Sequence, residues 1–455
     1  MNAEELRAEL ALLLGDAARV HTNPAIVERL SKDFYWYSPV LRKQLEDKRG
    51  DVVVQPASRE EVCAIASYAW KKSVPVTVRG AGTGNYGQCV PLAGGIVLDM
   101  TKMDRLEAIT DDGTAICQPG ARLAAIEREA RAQGWELRMY PSTLAKATAG
   151  GFLAGGSGGI GSVKHGGLRD FDNVRGIEIV TIEQEPRLLL REGTAIHEVL
   201  HCWGTNGIFS EVRLALAPAV DWTQCAIAFD SFEAGFAFGF ELAADPAWDK
   251  RLVTVFEWPI PSFFSPIQPL VAAAGKALVF AMIASSQLEA LRLAAAKARG
   301  EITFADAYAG PKSQPLLSDY TWNHTTLWAM KADPKWTYIQ AGFSPDRALE
   351  QFRLLRARYG QEILFHIEFM KNGEGRMMPG SIPLVYFTGE QRLNELIDFC
   401  REIGVSIANP HVNSLEDSGR FRTDNLQIRA RRSYDPRGLL NPGKMTSFSP
   451  EAVSQ

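Results

Sequence analysis

The sequence is short of cysteine, has little excess of either charge and holds no uninterrupted apolar run long enough to cross a membrane. Its six cysteines, Cys63, Cys89, Cys117, Cys202, Cys225 and Cys400, are scattered singly with no C-x-x-C pair. That pattern supports neither a disulfide framework nor an iron–sulfur centre, and free thiols in a reducing compartment are expected. A formal net charge of −4 over 455 residues lacks the basic footprint of a protein built to coat nucleic acid. Lys276 breaks the apolar stretch Leu270–Ile283, and Asp230, Glu233 and Glu241 break Cys225–Ala244, so neither reads as a membrane span. The opening run Met1–Gly15 carries acids where a secretory signal needs basic residues, and reads as an amphipathic helix stopped by Gly15. A cytoplasmic protein is the expectation. No G-x-x-x-x-G-K-[ST] occurs, which excludes a P-loop, and no internal repeat is visible.

What is present is an ordinary globular composition, 46% apolar and 22% charged, long enough for two or three domains. Val52–Val54, a helix opened by the capping-box pattern Ser58-Arg-Glu-Glu61, and Val74–Val78 form a β-α-β unit. A strand at Ile96–Asp99 follows, then a hairpin of Leu106–Thr110 and Thr114–Gln118 turned by Asp111-Asp112-Gly113, then a helix over Ala121–Gln133 ended by Gly134. Ile177–Ile182, Leu188–Leu190 and Val212–Leu216 read as strands. Beyond Asp221 glycine thins out. Alternating apolar runs at Cys225–Phe240, Val253–Phe256, Ala277–Ile283, Trp336–Ala341 and Ile363–Phe369 are separated by helical stretches at Ser286–Ala298 and Pro345–Tyr359. This second half reads as an α+β domain, a sheet covered by helices on one side.

Two glycine-rich loops carry the chemistry. Gly82-x-Gly84-x-x-Gly87 matches the dinucleotide fingerprint by letter, but its continuation, Gln88-Cys-Val-Pro-Leu-Ala-Gly-Gly95, cannot open the helix that a Rossmann pyrophosphate site needs. The loop can still turn several N–H groups toward one anion. The second segment, Pro141 to Gly161, lies at the start of a glycine cluster: nine of the 39 glycines fall between Gly150 and Gly167. So many absent side chains cost chain entropy and point to close approach of a large ligand. Together with Arg79-Gly-Ala-Gly-Thr-Gly84, Pro141-Ser-Thr143, Lys164-His-Gly-Gly-Leu-Arg-Asp170, Gly204-Thr-Asn-Gly-Ile-Phe-Ser-Glu-Val212 and Asp435-Pro-Arg-Gly-Leu-Leu-Asn-Pro-Gly-Lys444, they resemble the FAD-binding module of the vanillyl-alcohol oxidase and p-cresol methylhydroxylase (PCMH) family. The nearest likeness is to its glycolate oxidase subunit and D-lactate dehydrogenase branch.

The resemblance implies an α+β fold: a PCMH-type FAD-binding domain of two subdomains over 1–218, split near 100, a cap domain over 219–425, and a segment over 426–455 that returns to the first domain. It implies FAD held by Arg79, Gly80, Ala81, Gly82, Thr83, Gly84, Asn85, Pro141, Ser142, Thr143, Gly150, Gly151, Gly156, Ser157, Gly158, Gly161, Gly207, Ile208 and Asn441. The activity implied is oxidation of a CH–OH donor by hydride transfer to flavin N5, with a small 2-hydroxy acid of the D-lactate or glycolate type as the leading donor. An aromatic alcohol, a lactone or another donor, and a non-catalytic flavoprotein subunit of an electron-transfer complex, are the alternatives. Oxygen, a quinone or a carrier protein remain open as electron acceptor, and a homodimer or a complex with an electron-transfer subunit as assembly.

A base for the hydroxyl proton is most often histidine. His324, His366 and His411 fall in the cap, in the contexts Trp322-Asn-His324, His366-Ile-Glu368 and Asn409-Pro-His411, so His366, His411, His324, Glu368 and Asn409 are the catalytic candidates. Relatives carry a His- and Gly-Asp-Gly-containing metal segment that is absent here. No metal is assigned, and His366, Glu368 and His411 are the residues that would hold one. Arg376, Arg420 and Arg422 are candidates to clamp a carboxylate, and Tyr320, Trp322, Trp328 and Trp336 to wall an aromatic donor. Some members of the family attach the flavin to a histidine in the first loop or a cysteine just before the second. Thr83 and Tyr140 stand there in this chain, and neither is a suitable nucleophile. Noncovalent FAD follows: acid precipitation should leave the yellow colour in solution, and colour in the pellet would refute the expectation.

Overall fold

Three β-branched or leucine-rich segments, Val52–Val54, Ile96–Asp99 and Val76–Arg79, pair in parallel at the heart of a four-stranded sheet, with Val20–His21 antiparallel on its edge. The computed structural model describes residues 2–268, 274–418 and 425–450. The crossover helix Arg59–Lys72 buries Val62, Ile65, Ala66 and Ala69 on this sheet. Ser58 caps it by accepting the Glu61 N–H at 3.2 Å. The reciprocal half of the expected capping box is missing. The Glu61 carboxylate instead takes the Arg19 guanidinium at 2.5 and 2.8 Å and the Ala57 N–H, because a charge-assisted bidentate pair outweighs one neutral bond. Past the first glycine loop no helix forms before Ile96, so the Rossmann arrangement is absent.

The second sheet is antiparallel, in the order Leu106–Ile109, Thr114–Cys117, Ile208–Pro218, Val174–Val180, Leu188–Arg191, with Trp135–Leu137 paired to the far end of the long strand. Helix Leu123–Ala132 and the second glycine segment pack on one side of it. Part of that segment is itself helical, Ala149–Gly155, with the Thr148 hydroxyl accepting from Gly151 N–H. Sequence composition hid this helix, since its glycines disfavour helix and tertiary packing of Phe152 and Leu153 holds it. The closing segment runs beside Val76: Val76 N–H donates to Leu439 O and Asn441 N–H to Val76 O, both at 2.8 Å.

The cap is built on an eight-stranded antiparallel sheet in the order Glu301–Ala307, Trp222–Phe229, Ala277–Ala284, Lys250–Phe256, His366–Lys371, Met377–Ser381, Gln340–Gly342, Ser406–Ala408. The run Cys225–Phe240 is not one strand. It ends at Phe229, and Ser231 caps the helix Phe232–Ala244, in which Phe232, Phe236 and Phe240 recur every four residues. Strand period two sorts the sheet's side chains. Ile227, Val255, Val279 and Phe369 face the helices Phe232–Ala244, Leu288–Lys297, Ala348–Tyr359 and Glu390–Glu402. The other face is covered as well. Ala226, Phe256 and Phe280 pack with Tyr320 and Ala329 of the segment around helix Asn323–Ala332, while Trp222, Leu252 and Met282 join the core of the second sheet. Cap and FAD-binding half thus share a core.

That joint is pinned by charge. Arg251, 2% exposed, leaves the cap strand Lys250–Phe256 and enters the first half, where Nη2 donates to Glu127 Oε1 at 3.0 Å and to Leu137 O at 2.9 Å, with Glu136 at 3.5 Å from Nη1. The Trp222 indole N–H donates to Glu136 at 2.8 Å, and Arg251 stacks over Tyr140 at 4.8 Å. Arg251 and Glu127 are desolvated together, while Glu136 also holds Arg131 at 2.6 Å, so removing the Arg251 cation strands Glu127. Arg251→Met is expected to cost about 3–5 kcal/mol in urea denaturation, and Glu127→Gln in the same chain to recover part of the loss. An unchanged midpoint in the single variant would show that the joint does not depend on this network.

Candidate functional site

One cavity of about 460 Å³ opens between the two halves. Its first wall is the pair of glycine loops. The strand Val76–Arg79 ends in Gly80, and a Cβ there would come 2.1 Å from Thr148 Oγ1, the cap of the helix Ala149–Gly155. At Gly82 the backbone is left-handed, φ +67°, and a Cβ would meet the Arg79 guanidinium at 2.2 Å. The two loops therefore approach each other backbone to backbone, leaving N–H groups and small side chains to line a long groove. Beneath the first loop, Asp33 accepts from Gly87 N–H and Tyr35 N–H. Burial raises the Asp33 carboxyl and lowers the Lys444 ammonium, while their mutual attraction opposes both shifts.

The opposite wall comes from the cap, and its one acid is Glu368. Strand pairing sets Thr254 across from Glu368, and the Thr254 hydroxyl donates to Oε2 at 2.6 Å. Trp322 N–H donates to Oε1 at 2.7 Å, and His366 Nε2 stands 2.8 Å from the same oxygen. Trp322 holds φ +52°, a conformation costly for a bulky residue that persists only where its surroundings fix it. His366 is fully buried, stacked on Phe256 at 5.0 Å, and its Nδ1 has no partner.

Among the expected cofactor residues, Arg79, Gly80, Ala81, Gly82, Thr83, Gly84, Asn85, Pro141, Ser142, Thr143, Gly150, Gly151, Gly156, Ser157, Gly158 and Gly207 line the cavity. Gly161, Ile208 and Asn441 do not. Gly161 N–H donates to Arg251 O, Ile208 is core, and the Asn441 amide donates to Gln88 O and Trp203 O, tying three loops together. Of the catalytic candidates only Glu368 reaches the lining. His366 stands behind it. His411 is satisfied between Ser38 Oγ at 2.7 Å and Tyr338 O at 2.8 Å, and burial lowers its pKa to about 4. His324 Nδ1 lies 3.0 Å from Asp319 O, and burial lowers its pKa to about 4. Asn409 Oδ1 accepts from His411 N–H. The three histidines therefore do not converge, and among the described residues no trio of histidine, cysteine and acid side chains is grouped to hold a metal. Arg376 pairs with Asp346 at the surface, and Arg420 and Arg422 lie outside the described residues. Of the aromatic set, Trp322 lines the cavity while Tyr320, Trp328 and Trp336 pack in or against the cap core. Sequence reasoning missed Tyr86, Gln340, Ser381 and Met370. Gln340 donates to Tyr86 Oη across the two walls, a pairing of residues 254 positions apart that no local pattern announces.

The two glycine loops and the cap sheet face each other across this one groove. Residues 50–185 match the family model for an FAD binding domain. The chain is 35% identical to a D-lactate dehydrogenase of Archaeoglobus fulgidus over 192 residues, covering 40% of this chain and 42% of that one. It is 26% identical to the glycolate oxidase subunit GlcD of Escherichia coli over 427 residues, covering 86% of this chain and 83% of that one. Among solved structures, an alkyldihydroxyacetonephosphate synthase superposes with a TM-score of 0.73 at 15% identity, over 97% of this chain and 85% of that one, which is a likeness of fold. The chain carries a PCMH-type FAD binding domain. It is an FAD-dependent oxidoreductase. No described helix is long and apolar enough to cross a membrane.

The cradle fits the cofactor because side chains are absent where a dinucleotide must pass. Gly80→Ala should displace Thr148 at a cost of about 1–3 kcal/mol, lowering FAD affinity about tenfold or more. The flavin-to-protein absorbance ratio of the purified variant checks this, and full flavin occupancy after dilution and gel filtration would contradict it.

Proposed function

We propose that the protein oxidises a CH–OH donor bound between the glycine wall and the cap, with Glu368 as the base that takes the hydroxyl proton. The observation that carries this reading is the Glu368 carboxylate at the cavity surface, 3% exposed and held by Thr254, Trp322 N–H and His366. The flavin supplies the hydride acceptor at N5 when bound, and the glycine-wall residues hold it. Thr254 and Trp322 donate to the carboxyl group and fix its orientation at the cavity. His366 Nε2, 2.8 Å from Oε1, braces it from behind. Trp322, Met370 and Ile382 exclude water around it.

The likeness to a D-lactate dehydrogenase supports a 2-hydroxy acid as donor, and the likeness to a glycolate oxidase subunit supports a partner polypeptide as the route by which electrons leave. The cavity lining supports noncovalent FAD. Among its described residues there is no histidine, and burial with the neighbouring Asp33 carboxylate pushes the Cys89 thiol up to about 12. Glu368→Gln should keep FAD and slow anaerobic bleaching of the flavin by any active donor about 10²–10⁴-fold, with His366→Gln falling between it and the parent. Bleaching at the parent rate in Glu368→Gln would remove Glu368 from the chemistry.

A further inference from the structure

Lys444 ends the closing turn of the chain, and its side chain is driven under the first glycine loop. Its backbone is fixed there: Leu415 N–H donates to Lys444 O at 2.8 Å, and the Asn441 amide, three residues earlier, donates to Gln88 O at 2.7 Å and to Trp203 O at 2.6 Å. Nζ lies 3.9 Å from where a Cβ of Gly87 would stand. The residue is 0% exposed, and Nζ has no hydrogen-bond partner among the described residues. An ammonium has three N–H donors, and leaving them unpaired away from water is costly. A buried group of this kind marks a place where something outside the chain belongs.

The neighbours of Lys444 set the sign of what fits. Asp33 accepts from Tyr35 N–H at 2.9 Å and from Gly87 N–H at 3.2 Å through Oδ1, and the Cys89 thiol lies 4.0 Å from Oδ2. Lys444 and Arg79 are the two cations whose charge acts on Asp33. The Arg79 guanidinium packs 2.2 Å from where a Cβ of Gly82 would stand and donates to the carbonyls of Leu30, Lys32 and Gly80, which satisfies its N–H groups and leaves its charge in place. Cys89 is a neutral thiol, since burial and the Asp33 carboxylate push it up to about 12. Two cations thus stand against one anion beneath the first loop. Enclosed excess charge of one sign calls for a partner of the other, and the loop above it turns its backbone toward an anion. The cofactor of this cradle brings one. We propose that the Lys444 ammonium supplies the charge that retains the FAD pyrophosphate, acting from beneath the first glycine loop while Asp33 keeps it in place. The proposal concerns cofactor retention and stands apart from the role given to Glu368.

Two variants separate this role from a purely structural tie, because the charges have opposite signs. Lys444→Met removes the attraction for the pyrophosphate. Asp33→Asn keeps an oxygen for the Tyr35 and Gly87 N–H groups and removes the negative charge that competes for the ammonium. The test uses the FAD-loaded protein at pH 7. Release of FAD on serial dilution is followed by flavin fluorescence, and the phosphorus NMR spectrum of the bound cofactor is recorded. Lys444→Met should release FAD at concentrations at least about tenfold higher than the parent, and Asp33→Asn should hold it as tightly as the parent or more tightly. In Lys444→Met the pyrophosphate resonances should move while the visible bands of the flavin ring keep their shape. Unchanged release in Lys444→Met overturns the proposal, as do phosphorus resonances that stay where they are in the parent. Weakened retention in Asp33→Asn overturns it too, since a structural tie between Asp33 and Lys444 loses by the removal of either partner. Where Lys444→Met does not fold, Asp33→Asn decides alone: retention equal to the parent or tighter supports the proposal, and weaker retention overturns it.

Discussion

A buried guanidinium fixes where the cap stands. Arg251 is charged, nearly inaccessible, and far too costly to desolvate alone. Its partners, Glu127 and Glu136, belong to the FAD-binding half, while its own strand belongs to the cap sheet. The docking seen here pairs Arg251 with Glu127 at 3.0 Å, whereas Glu136 is already paired with Arg131 in its own half at 2.6 Å. Once Lys250–Phe256 is placed, sheet register carries the constraint onward: Thr254 falls opposite Glu368, and the Thr254 hydroxyl holds the carboxylate at the cavity. The acid at the cavity surface is thus positioned by a network whose centre lies outside the lining.

Local strain is the second part of the same design. A tryptophan at φ +52° costs about 1–3 kcal/mol. The backbone N–H it turns inward meets the Glu368 carboxyl group at 2.7 Å, and that hydrogen bond offsets part of the strain. The strained turn persists because it helps hold the Glu368 side chain at the cavity.

The parts of this structure legible in the sequence are those whose cause is local. Glycine is needed where Gly80 touches Thr148, so residues of the two loops that line the cavity were legible as a wall. The β-α-β unit was legible because β-branched triplets and a capped amphipathic helix follow one another within thirty residues. The same signal pointed to Gly161, which does not line the cavity. Its glycine is required by the Arg138 carbonyl, 2.0 Å from where a Cβ would stand, and its N–H serves Arg251. The cap site was illegible for the opposite reason. Trp322, Gln340, Glu368 and Ser381 come from separate segments, and only sheet order brings them together. The histidines drew attention because imidazole titrates near neutrality, yet burial and hydrogen bonding make His411 a structural tie between the N-terminal segment and the cap, and leave His366 one step behind the acid.

The two walls also answer to different demands. The glycine wall leaves little room for added side chains, since a Cβ at Gly80, Gly150 or Gly156 would come within 3 Å of a neighbouring atom. The family match over 50–185 contains both glycine loops and none of the cap. On the cap wall, side chains can be exchanged on a rigid antiparallel sheet without disturbing the cradle, because the joint at Arg251 is packed separately from the cavity surface. Likeness in the first wall therefore identifies the cofactor and the kind of chemistry, whereas the donor has to be argued from the charge and shape of the second.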